Sequence, residues 1–126
     1  MIELNPETVC FIIDKAHEFQ TQEDVFLEEE PSLEGGASLL LAEYSGSPAL
    51  AELKAAIDDM EPDQQMVLVA LMWLGRGDYD IEEWEDALGE ATRRWTDHTA
   101  DYLIATPMLA DYLSEALDLH GYSCGE

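Results

Sequence analysis

The chain has 126 residues, enough for one domain that can bury roughly two thirds of the surface its unfolded form exposes. Apolar residues make up 47% of it, which excludes a disordered tail, and the longest apolar run, Met66 to Leu74, is too short to span a bilayer. With 29 acidic residues against five Lys and Arg, the formal net charge of -24 argues against direct contact with nucleic-acid phosphate or an anionic membrane; it favours solubility and would attract a basic partner.

The start, "MIELNPETVC", has no basic segment and no long apolar stretch, so no signal peptide is expected. Cys10 and Cys124 are too few for a disulfide framework. The sequence therefore predicts two free thiols in a cytoplasmic protein.

Four dipeptides punctuate the chain: Asn5-Pro6, Ser47-Pro48, Glu61-Pro62 and Thr106-Pro107. Proline suits the first helical turn, where its missing N–H is not needed, and Asn, Ser or Thr before it can cap free N–H groups. The first helix is expected over Pro6 to Phe19, with Val9, Ile12, Ile13, Ala16 and Phe19 as its apolar stripe. Residues 21–36, "TQEDVFLEEEPSLEGG", combine acids, Pro and paired Gly and predict a mobile acidic loop, followed by a short helix over 37–44. Pro48 opens a helix with Leu50, Leu53, Ile57 and Met60 on one face. Pro62 opens another that is apolar all round from Met66 onward and is expected at the centre of the domain, with Gly75 as its left-handed terminator.

Asp80 and Glu83 make a capping-box pair for a long helix, in which Ile81, Trp84, Leu88, Ala91, Trp95, His98 and Tyr102 alternate at three and four. Unbroken to Ala105 it would be about 37 Å long, against about 35 Å for the whole domain. It must span the molecule or bend, with Gly89 the candidate hinge. The last helix is expected from Pro107, ending at Gly121 with Tyr122 folding back on Leu117. No segment has strand periodicity, so the fold class is all-α, a single compact domain of five or six helices around the central buried one.

The chemistry-bearing residues are sparse. There is no G-x-S-x-G elbow, P-loop or G-x-G-x-x-G, and Cys10 sits among apolar and acidic neighbours that disfavour a thiolate. Asp14 and His17 share one helix face, as do His98 and Asp101, so two such helices facing one another would resemble half a carboxylate–histidine metal centre. Against this, three histidines among 29 acids meet an acid at helical spacing by chance, and His98 lies on an apolar stripe. Neither a metal nor any other cofactor is expected.

Trp73, Trp84 and Trp95 fall at core positions, with partner anchoring by an exposed Trp84 or Trp95 as the alternative. Arg76, Arg93 and Arg94 lie close in sequence. Glu90 and Asp97 offer Arg93 and Arg94 ordinary helical ion pairs, and Asp78, Asp80 or Glu83 offers Arg76 a carboxylate. The alternative is a local electropositive notch that receives a carboxylate. The candidate binding set is thus Arg76, Asp78, Asp80, Trp84, Arg93, Arg94 and Trp95, with no catalytic residue in it.

The segments "LMWLGRGDYDIEEW" and "TADYLIATPMLADYL" resemble domain-of-unknown-function family 3775, a bacterial family with an L-G-R-G-D-like and a T-P-L-L-like segment. Here these read Leu74 to Asp78 and Thr106 to Leu109, with Met108 where the second usually has Leu. The start "LNPETVCFIIDKAHEF" fits as well. The resemblance implies a bacterial cytoplasmic protein and carries no catalytic residues. The expected function is a non-enzymatic protein-binding or regulatory module, monomer or homodimer, using its acidic surface or its Trp and Arg patch. The alternatives are a metal-dependent enzyme or metal-binding protein built on His17 and His98, and an acidic nucleic-acid mimic that occupies a basic protein's groove.

Overall fold

Proline opens three of the helices. The computed structural model describes residues 4–22, 46–96, 99–106, 108–122 and 124. Helix α1 runs Pro6–Gln22, α2 Pro48–Asp58 and α3 Pro62–Arg76. The side-chain oxygen of Asn5 accepts from the Glu7 N–H at 2.8 Å, and Ser47 Oγ accepts from Leu50 at 3.1 Å. Glu61, a poor cap by type, is helped from the other direction: its N–H donates to Gln64 Oε1 at 3.0 Å.

Helix α3 is the central element. Every residue from Val67 to Leu74 is buried, as an apolar surface on all sides requires. It packs on α6 (Leu109–Leu119) and on α4 (Trp84–Arg94), while α1 packs on α2 and α6. Helix α5 (Thr99–Ile104) closes the core against α2 and α3. The six α-helices, with no strand among the described residues, make one all-α domain.

Four sequence expectations are corrected. Gly75 does not terminate α3; it lies inside the helix, and Gly77 takes the left-handed position at φ 98°. The Gly77 N–H donates to Leu74 O and the Asp78 N–H to Trp73 O, the Schellman pattern. Gly75 serves a different need. A Cβ there would stand 1.7 Å from the Tyr112 carbonyl oxygen, so the close approach of α6 to α3 requires its absence.

The second correction is the long helix. A short 3₁₀ turn, Ile81–Glu83, precedes α4, and the chain leaves the helix at Trp95, which is extended at φ -61°, ψ 138°. The break is at Trp95, not near Gly89, which lies within α4. The reason is tertiary. The Trp95 indole N–H donates to Gln65 Oε1 at 2.8 Å, and Gln65 Nε2 donates to Ile57 O at 2.9 Å. This relay ties the break to α3 and α2, and α5 starts afresh with Thr99 Oγ accepting the Thr96 N–H. A straight helix would carry Tyr102, Leu103 and Ile104 past the core in which they are buried.

Third, the last helix begins at Leu109, not Pro107, and Met108 before it has a left-handed backbone at φ 61°. Thr106 does not cap it; its hydroxyl donates back to Tyr102 O at 2.7 Å. At its other end Gly121 is left-handed and the Tyr122 N–H donates to Leu117 O at 2.8 Å.

Fourth, Cys10 and Cys124 are not free thiols but a disulfide, with Cα atoms 5.7 Å apart. Helix α6 lies along α1, and the Gly121 turn sends the tail back across it, bringing together residues 114 positions apart. A count of two cysteines carries no information about that proximity, and the thiol argument for a reducing compartment falls with it. Of the expected acidic loop, residues 21 and 22 belong to α1; the rest of it and the helix expected over 37–44 lie outside the described residues.

Candidate binding notch at the end of the central helix

The turn that ends α3 builds the site. One helical turn separates Trp73 from Arg76, so the side chains share a face. The left-handed Gly77 then reverses the chain and places Asp78 beside Arg76: the guanidinium Nε–H donates to Asp78 Oδ2 at 2.9 Å and an Nη donates to the same oxygen. Tyr79 follows, its ring 6.1 Å from that of Trp73. The Asp80 N–H donates to Glu83 Oε1 at 2.9 Å, which fixes the start of the next turn. Helix α4 then returns along α3 and delivers Glu90 and Arg94 to the same place.

These residues enclose a notch of about 280 Å³ lined by Trp73, Arg76, Asp78, Tyr79, Glu90 and Arg94. Its floor is rigid: Trp73 is buried, and its indole N–H donates to the buried Tyr102 hydroxyl at 2.9 Å. Above it the Arg94 guanidinium lies 5.9 Å from the Trp73 ring centroid, a cation–π arrangement. Glu90 lies within hydrogen-bonding reach of Arg93, whereas Arg94 Nε is 4.0 Å away from it, outside that range. Arg94 is thus the loosely held cation of the notch, half-exposed and backed by an aromatic face.

Of the candidate binding residues, Arg76, Asp78 and Arg94 meet at this notch. Asp80 faces a neighbouring pocket. Arg93 points to Glu90 at the surface. Trp84 is buried with its ring edge-on to His120, centroids 4.5 Å apart, and Trp95 is committed to Gln65. Sequence reasoning left Trp73, Tyr79 and Glu90 out of the set. The signals were present as the three-residue step from Trp73 to Arg76 and the four-residue step from Glu90 to Arg94, but which helix faces α3 is not written in either.

Asp14 and His17 are exposed on α1, Asp101 accepts from Lys54 Nζ at 2.7 Å, and His98 lies outside the described residues. No group of three His, Cys, Asp or Glu able to hold a metal ion occurs among the described residues.

Residues 50–122 match the model of a family described as "Protein of unknown function (DUF3775)". The chain belongs to this family. The matched region is more than half of the chain and includes the whole α3–α4 notch and α6, while α1 and both cysteines lie outside it. No curated protein and no solved structure matches the chain. No helix among the described residues is long and apolar enough to cross a membrane.

Proposed function

We propose that the protein is a non-enzymatic binding module that receives a carboxylate, presented by a partner protein, in the notch at the end of α3. The observation that carries this reading is the meeting of Arg76 and Arg94, two of only five Lys and Arg in a chain of net charge -24, with Trp73 and Tyr79 in the lining of one notch. Arg76 is anchored by Asp78 and presents a fixed charge. Arg94 can turn from Glu90 toward an incoming carboxylate at little cost, since no hydrogen bond joins the two. A guanidinium donates two parallel bonds to such a group, and the Trp73 ring beneath Arg94 fixes where that cation stands. A bare positive patch would be filled by one of this chain's own 29 acids; a notch of two cations and two acids stays open yet can exchange one acid for another.

The test is an array of short peptides made in pairs, with a free C-terminal carboxylate or as the amide, probed with the parent protein and with Arg94→Gln. Spots that require the free acid, or an internal Asp or Glu, and vanish with Arg94→Gln support the reading. Retention that ignores both changes contradicts it.

A further inference from the structure

A second pocket, of about 320 Å³, lies on the other side of Tyr79, which lines both. It is formed where the α3 terminus, the 3₁₀ turn and the last turns of α6 converge, and its lining includes Leu74, Asp80, Ile81, Glu82, Glu115 and Leu119. Two features set it apart from the rest of the acidic surface. Ile81 is 37% and Leu119 45% exposed, among the few large apolar side chains left open to solvent in the described residues. Three carboxylates and no cation complete the lining. We propose that this pocket docks a lysine or arginine side chain from an exposed segment of a partner protein.

The chemistry is specific to that kind of side chain. Lys and Arg carry an apolar stem three or four methylenes long beneath a charged head. The stem covers Ile81 and Leu119, and the head meets Glu82, Glu115 and Asp80 at the rim. A purely apolar residue would leave those carboxylates unpaired and partly desolvated, and a small cation would leave the apolar pair uncovered. Glu115 and Leu119 are four residues apart on α6, so one helix face supplies both functions. Ile81 and Glu82 are presented by the 3₁₀ turn, whose start is held by the bond from Asp80 to Glu83. The pocket and the carboxylate notch share only Tyr79, and each can be present without the other.

The test is an NMR titration of the whole protein with the pentapeptide acetyl-Ala-Ala-Lys-Ala-Ala-amide, read at the Ile81 and Leu119 methyls. The same peptide with norleucine in place of lysine, and spermidine, are the comparisons. We expect the lysine peptide to shift both methyls and the norleucine peptide to bind about fivefold more weakly, the worth of roughly one kcal/mol of ion pairing. Glu82→Gln with Glu115→Gln should remove that preference, and Ile81→Ser should weaken both peptides alike. These positions are exposed, so the variants keep the fold. Equal binding of lysine and norleucine peptides, or shifts spread over the whole acidic surface, would overturn the proposal. So would spermidine binding that the double variant does not weaken. Neither peptide has a carboxylate, so none of these outcomes bears on the Arg94 notch.

Discussion

Gly75 and Gly77 stand two residues apart and are glycine for different reasons. At Gly77 the backbone is left-handed with open space around it, so Gly77→Ala meets only the strain of that conformation, about 1 kcal/mol. At Gly75 the backbone is ordinary but a Cβ would collide with the backbone of α6, so Gly75→Ala must push two packed helices apart. Urea unfolding should show Gly75→Ala as clearly the more destabilised; the reverse order would mean that the α3–α6 contact is looser than described. Arg76 sits between them, and its bonds to Asp78 join two residues of one turn at a partly exposed site. Arg76→Lys should therefore cost no more than about 1 kcal/mol. His120 is the residue to follow with pH. Burial lowers its pKa from 6.5, and its Nε2 is buried without a hydrogen-bond partner while the ring packs on Trp84. The unfolded chain takes up this proton more readily, so stability is full above about pH 6.5 and is lost as pH falls below it. His120→Phe keeps a ring against Trp84 and should flatten the profile of melting temperature between pH 7 and 5 relative to the parent. An unchanged profile would assign the acid sensitivity to the carboxylates instead.

At the level of elements, the proline starts and the apolar periods were legible, because capping and amphipathic spacing are local in sequence. The three–four alternation through Trp84, Leu88, Ala91 and Trp95 is real as far as Arg94, but a periodic stripe cannot show that Gln65, thirty residues earlier, captures the Trp95 indole and turns the chain. The same limit hid the notch. The Arg residues could be picked out by their scarcity, whereas the meeting of Arg76 and Arg94 beside Trp73 depends on how α4 returns along α3. The disulfide was the least legible feature, since it joins α1 to the tail beyond α6. Closing a loop of this length restricts the unfolded chain, by about 4 to 5 kcal/mol in the chain-entropy account. Reductant, or Cys10→Ser with Cys124→Ser, should lower the unfolding midpoint in urea by a matching amount. Coincident transitions with and without reductant would show that the bond does not contribute to stability.

Across the whole molecule, a net charge of -24 spreads repulsion over the surface, and salt should stabilise the fold by screening it beyond about 10 Å at 0.1 M. The same field separates the two pockets. A lysine peptide drawn to Glu82 and Glu115 should lose affinity steeply as salt rises. A carboxylate seated between Arg76 and Arg94 approaches against the field and should lose far less. In the proposed reading the notch takes a carboxylate through Arg94. The decisive measurement is a titration of the isotope-labelled protein with N-acetylglycine and its amide, read at the Trp73 indole N–H and the Arg94 Nε–H. The acid should give saturable shifts at both groups and the amide little, and Arg94→Ala should lose the Trp73 response. Identical responses to acid and amide, or an unchanged Trp73 response in Arg94→Ala, would rule out a carboxylate site at Arg94.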